Sequence, residues 1–215
     1  PASLSIRGRN ISRSIEISNS SYVKIRGLNF FASNIAVLSD HVTIEDCSFT
    51  YPDASKRLLG IYPETSSAAS EEYSTYTDGF AFSLINCSIE YTEYSALRVI
   101  NGDNSKIHNN LFRHLAMLGL GKNGAIEQVN TYTRNTFEIA GNRGAVKTNT
   151  DPKEDRNQSY NYFSGFGFLQ VPDGASLQAA TNKTPGTVMS YNWFTYAFKY
   201  GSRWDGHPAG IQGTN

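Results

Sequence analysis

Long apolar runs are missing from this chain, and so is any stretch with a 3.6-residue apolar period. The first absence excludes a membrane-spanning helix, and the second excludes a helical bundle. Cysteine is scarce, with two residues, and histidine counts four. That is too little for a disulfide framework, and the spacing suits no zinc site. Charge of one sign is also lacking: Lys plus Arg and Asp plus Glu each number 19. No overall field steers nucleic acid or an anionic membrane toward such a protein. No signal-peptide pattern is present.

What the chain does have is a repeated short pattern. Seven segments carry it: VKIRGLNF (23–30), VTIEDCSF (42–49), FSLINCSI (82–89), SKIHNNLF (105–112), TYTRNTF (131–137), QSYNYF (158–163) and MSYNWF (189–194). One column holds Leu28, Cys47, Cys87, Asn110, Asn135, Asn161 and Asn192. Two places on, a second column holds Phe30, Phe49, Ile89, Phe112, Phe137, Phe163 and Phe194. Most successive members lie roughly 20–30 residues apart, and short alternating strands at such a period predict a solenoid. The step from Cys47 to Cys87 is the long exception. Val, Ile, Tyr, Phe and Thr alternate with polar residues, as in Val42-Thr43-Ile44, and Gly, Asn, Asp and Ser punctuate them. In a parallel β-solenoid, equivalent residues of successive coils lie about 4.8 Å apart. A buried amide can then hydrogen-bond to those above and below, and a Phe column can stack beside it. The fold expected is therefore all-β, a parallel solenoid of about eight or nine coils and about 40 Å long.

The motif V-x-I-x-x-N-x-F, followed by Gly-Ile or Ala-Leu strands, resembles the right-handed parallel β-helix of the pectate-lyase-like superfamily. The resemblance covers nearly the whole chain. It is closest to large secreted bacterial β-helix proteins whose coils read like NCSIEYTEYSALRV (86–99) and YNWFTYAFKYGSRWDGHPAG (191–210). Proteins of that fold include polysaccharide lyases, glycoside hydrolases, epimerases, phage tailspikes and adhesins. The resemblance implies an extracellular protein of polysaccharide chemistry, and fold alone does not choose among these activities.

Residues 1–215 read as one domain, cut at both ends from a longer secreted protein and expected to be a monomer. Insertions are expected at about 50–80, 149–157 and 172–187. Long loops on a rigid solenoid either wall a groove or are tolerated surface excursions. Cys47 and Cys87 share the ladder column, where stacked thiols suit the geometry better than a disulfide. The sequons at Asn10, Asn19, Asn86, Asn157 and Asn182 read as coincidence, with Asn86 expected in a core strand.

Candidate chemistry follows from counting onward from the ladder. Arg98 follows Cys87, Lys147 follows Asn135 and Arg203 follows Asn192, all at nearly the same offset. Lys122 and Gln170 are expected on the coils between. Period-two alternation predicts that these five share one outer face of one sheet. Cations and amides at one coil spacing match an extended glycan bearing carboxylate or sulfate, although Lys and Arg are also routine on a solvated strand face. Trp204 and His207 flank the row as further binding residues. Asp205 reads as a general acid, a metal ligand or the salt-bridge partner of Arg203. His114 reads as a turn histidine.

A lyase would use Lys147 or Arg203 as base, with a cation or Ca²⁺ neutralising the uronate carboxylate. Two coils, about 10 Å, separate these two. A hydrolase would pair Asp173 with Asp205, since glycosidases need two carboxyl groups about 5–9.5 Å apart. Glu93, Glu127, Glu138 and Asp173 are the carboxylates expected near this face. No cofactor is required. Ca²⁺ is the one metal admitted, because only 151–155 (DPKED) is locally acidic enough. The leading expectation is an enzyme that processes an acidic polysaccharide. The alternative is a glycan-binding, adhesive or structural module.

Overall fold

The computed structural model describes residues 14–52, 73–78, 81–92, 95–100, 104–115, 117, 126–127, 129, 131–141, 146–147, 157–166, 175–179, 187–197, 200–204 and 211–214. Among them there is no helix. Every strand pairing among them is parallel.

The strands fall into long stacks that the chain visits in rotation. The long sheet has eight: Ile15–Ser18, Ile35–Leu38, Tyr73–Asp78, Ser95–Ile100, Ile126–Glu127, Val146–Lys147, Ala175–Ala179 and Tyr200–Trp204. The second sheet has five: Lys24–Arg26, Thr43–Glu45, Ser83–Ile85, Lys106–His108 and Thr131–Thr133. The third has seven: Asn29–Phe31, Ser48–Thr50, Ser88–Glu90, Leu111–Leu115, Thr136–Ala140, Tyr162–Phe166 and Trp193–Ala197. A short fourth sheet joins Thr187–Ser190 to Ile211–Thr214, and a bridge links Asn157 to Val188. Spatial order equals chain order in each stack, a topology that fits a parallel β-solenoid.

The strands are short, because each is one side of a turn of chain. Within them burial alternates, as in Ser48–Thr50 and Ser83–Ile85, where only the middle residue is buried. The Phe column is in perfect register from Phe30 to Phe194. Its rings stack at 4.7 Å (Phe30–Phe49), 5.0 Å (Phe112–Phe137 and Phe137–Phe163) and 4.9 Å (Phe163–Phe194). Phe49, Phe112, Phe137 and Phe163 are fully buried, while Phe194 packs against the core from a half-buried position.

The amide ladder forms as expected. The backbone N–H groups of Cys87, Asn110, Asn135 and Asn161 donate to the side-chain oxygens of Asn110, Asn135, Asn161 and Asn192, at 2.8–2.9 Å. The side-chain amides of Asn110, Asn135 and Asn161 reach both ways. Asn135 Nδ2 donates to Ile107 O on one side (3.0 Å) and to Asn161 Oδ1 on the other (3.2 Å). No polar atom of this buried amide is left without a partner, which is the condition for burying it at all. At Cys47 the N–H donates to Cys87 Sγ instead, at 3.4 Å, and both cysteines are free thiols. Leu28 departs from the column's chemistry. It holds the register, accepting from the Ser48 N–H at its carbonyl, but is 44% exposed.

The corners between sheets are left-handed backbone, mostly at non-glycine residues. The residue before each ladder position has positive φ: Gly27, Asp46, Asn86, Asn109, Arg134, Tyr160 and Tyr191. So does the residue two places after each Phe position: Ala32, Tyr51, Tyr91, His114, Ile139, Gly165 and Tyr196. Side-chain stacking offsets the cost of this conformation. On the outer surface Asn109 Nδ2 donates to Asn86 Oδ1 (2.8 Å) and Asn86 Nδ2 to Asp46 Oδ1 (3.3 Å). Arg134 lies over Tyr160, which stacks on Tyr191 at 4.9 Å. Tyr51 stacks on Tyr91, and Tyr91 on His114. Asn86 is therefore an exposed corner residue, not part of a core strand.

Two of the expected insertions contain regular strands. Tyr73–Asp78 lies within 50–80 and Ala175–Ala179 within 172–187, and both belong to the long sheet. Their sequences, YSTYTD and ASLQA, are too polar to read as core strands. Tyr and Thr nevertheless suit a pleated backbone.

Candidate functional site

The long sheet carries one residue per coil along a single register row: Tyr76, Arg98, Glu127, Lys147, Gln178 and Arg203. Parallel pairing fixes this row, because Leu97, Ile126, Val146, Leu177 and Ser202 form the row beside it. Leu97 and Ile126 are fully buried. Three of the residues expected to line a groove, Arg98, Lys147 and Arg203, thus fall in one line along the stack. Trp204 pairs with Ala179 at the next position.

The coils between carry other residues than those expected. The partner of both Arg98 and Lys147 is Glu127, and the partner of both Lys147 and Arg203 is Gln178. Lys122, Gln170, Asp173, Asp205, His207 and the acidic stretch 151–155 lie outside the described residues, as does Glu93. Of the loops expected as walls, only Asn157 at 149–157, and Ala175–Ala179 and Thr187 at 172–187, are described.

Glu138 is on a different face. It belongs to the third sheet, where its carboxylate accepts from Arg113 Nε at 2.8 Å and Arg113 also approaches Glu90. The reason is its position directly after Phe137, before the chain turns toward the long sheet. Both faces of the long sheet are covered nearer its start: Ile35, Ala36 and Val37 are all buried, and so are Ala96 and Leu97.

One shallow trough, of about 480 Å³, runs over the cysteine part of the ladder, bordered by Asp46, Asn86, Asn109 and Ser88. Its polar groups already serve one another. Arg26 Nε donates to Asp46 Oδ2 at 2.7 Å, and this bond together with that from Asn86 holds the Asp46 carboxyl below its ordinary range. Burial pushes the Cys87 thiol up to about 12, which keeps it protonated at neutral pH. Elsewhere, burial holds His108 below its ordinary value, and its Nδ1 is bonded to Thr133 Oγ1 at 2.8 Å. Among the described residues no three His, Cys, Asp or Glu side chains group as metal ligands.

Comparison with protein-family models, curated proteins and solved structures found no match. The chain's own residues therefore carry the functional reading.

Proposed function

We propose that this chain is a right-handed parallel β-helix of about eight or nine coils, of the pectate-lyase-like kind. On this reading it is an extracellular bacterial protein that binds an acidic polysaccharide lengthwise along the long sheet and cleaves it. The register row Arg98, Glu127, Lys147, Gln178 and Arg203 carries the reading. An extended glycan and a β-stack are both linear repeats, so one polar residue per coil can meet successive sugars. Arg98, Lys147 and Arg203 supply cationic donors for carboxylate or sulfate. Glu127 and Gln178, between them, keep the row from becoming a continuous positive strip.

The chemistry would centre on Lys147. In an elimination, the lysine takes the proton α to a uronate carboxyl while Arg98 or Arg203 neutralises that carboxyl. Glu127 is in register one coil away, closer than Arg203, and suits the acid that protonates the leaving oxygen. Hydrolysis by Asp173 and Asp205 is the other route to chain cleavage.

The test is incubation with polyuronates and sulfated glycans, reading unsaturated ends by ultraviolet absorbance and reducing ends chemically. Unsaturated ends that vanish in Lys147→Ala and Glu127→Gln support elimination. Reducing ends without unsaturation support hydrolysis. Salt-sensitive binding without new ends of either kind gives a non-catalytic glycan-binding module. No binding by the folded protein, or undiminished binding by the triple alanine variant at 98, 147 and 203, overturns the groove altogether.

A further inference from the structure

The long-sheet row makes no use of the two cysteines, which hold neighbouring rungs of the ladder. Glu45 pairs with Ile85 and Ser48 with Ser88, so Cys47 and Cys87 lie at equivalent points of adjacent coils. Their thiols share one orientation. Each Sγ donates to the carbonyl two residues before it, Glu45 O and Ile85 O, at 3.2 Å in both cases. Each also leans toward the equivalent carbonyl of the preceding coil, Ile25 O at 4.0 Å and Ile44 O at 3.6 Å. The two sulfurs are therefore related by one coil repeat, about 4.8 Å along the stack. Both cysteines are free and buried.

That separation is wrong for a disulfide, whose sulfurs lie about 2.05 Å apart. It is right for an ion between them, since two thiolate–metal bonds of about 2.3 Å laid end to end span about 4.6 Å. Two ligands facing each other suit a soft d¹⁰ cation in linear coordination, and thiolate selects Cu(I). Zn²⁺ takes four ligands, and among the described residues no third Cys, His, Asp or Glu groups with these two. The Cys47 N–H already donates to Cys87 Sγ at 3.4 Å, and this bond would hold and stabilise a thiolate there. Access is provided by the shallow trough of about 480 Å³, which Cys47 and Cys87 themselves help to line.

We infer that Cys47 and Cys87 form a site for a single Cu(I) ion, held as a linear bis-thiolate between two coils. Binding breaks two S–H bonds and makes two S–Cu bonds. The two protons pass to solvent, and no electron is transferred. The ion staples adjacent rungs where the ladder lacks its amides. The site is independent of the glycan reading of the long sheet.

The experiment is anaerobic titration of the whole chain with Cu(I) supplied as its bicinchoninate complex, followed by Ag(I) and, separately, Zn²⁺. The expected result is one Cu(I) per chain with an ultraviolet thiolate-to-copper band, displaced one for one by Ag(I), and no retention of Zn²⁺. Affinity should rise about a hundredfold per pH unit near neutrality, as release of two protons requires. Loading should raise the melting temperature with the β-type circular dichroism unchanged, because an ion that binds the folded chain stabilises it. X-ray absorption should show two sulfur neighbours. Cys87→Asn removes one ligand and installs the amide that the same column carries at Asn110, so the ladder is kept. This variant and Cys47→Ser should each bind Cu(I) at least a hundredfold more weakly. The triple alanine variant at 98, 147 and 203 should bind it as wild type does. No uptake by folded wild type, two ions per chain, or a melting temperature that falls on loading overturns the site. Undiminished affinity in either cysteine variant overturns it as well.

Discussion

Asn135 is tied into its surroundings at every polar atom, so its removal is felt twice. An Asn135→Ala variant strands the Asn110 N–H and the Ile107 carbonyl in the core. A loss of about 1–3 kcal/mol is expected, read as a lower urea midpoint. Phe137, fully buried between two stacked rings, should cost about 3–5 kcal/mol when cut to alanine. His108 gives a pH signature. Its folded pKa lies below the ordinary 6.5 because burial, and then Lys106 and Arg134, disfavour the charged ring. Its contribution to stability is complete above 6.5 and is lost as pH falls from there through the folded value. His108→Gln should therefore flatten the loss of stability in thermal melts taken downward from pH about 7. These ladder residues were legible in the sequence because identical side chains recur where coils coincide. The exposure of Leu28 was not, since a leucine in a column of buried residues reads as core.

At the scale of elements, the corners decide the geometry, and they were the least legible part. Tyr fills six left-handed positions, at 22, 51, 91, 160, 191 and 196, where Gly or Asn would be looked for. Neighbouring rings, not local preference, hold most of those tyrosines. Corner length also misleads counting. Arg98, Lys147 and Arg203 follow their ladder residues at nearly one offset, whereas Glu127 and Gln178 come distinctly later after Asn110 and Asn161. Hence a constant offset names the row correctly on three coils and points to Lys122 and Gln170 on the other two. A corner prediction follows from φ of 55° at Asn109. Asn109→Val should cost about 1–2 kcal/mol, because a β-branched residue is crowded there. Asn109→Gly should cost much less, losing only the bond to Asn86. Comparison of the two by urea titration separates backbone cost from side-chain cost.

Among the described residues each strand of the three long sheets pairs only with the strands next to it in its stack, the arrangement for which stability is close to a sum of repeat and interface contributions. Amide exchange should be slowest in Leu111–Leu115 and Thr136–Ala140, where the Phe stack and the Asn ladder run together, and faster in Ile15–Ser18. Uniform exchange across all coils would mean that the stack unfolds as one unit. Parallel architecture was legible at this scale from the paired columns alone. The candidate groove was legible only as three cations, because strand register, not sequence distance, determines which residues lie between them.

The ladder also sets how this protein can change length. Its bonds require that Asn-x-Phe arrive at the same place in each coil, and they are indifferent to how much chain intervenes. The stretch from Asn161 to Asn192 is longer than that from Cys87 to Asn110, yet both end in the same bond at 2.8 Å. Length is thus quantised in coils. Excising 111–135 joins Asn110 directly to Thr136 and sets Phe137 two places after it, so Asn110 inherits Asn161 as its acceptor. Such a shortened chain should still fold, with a β-type circular dichroism spectrum, whereas cutting slightly less or slightly more at the same joint should not.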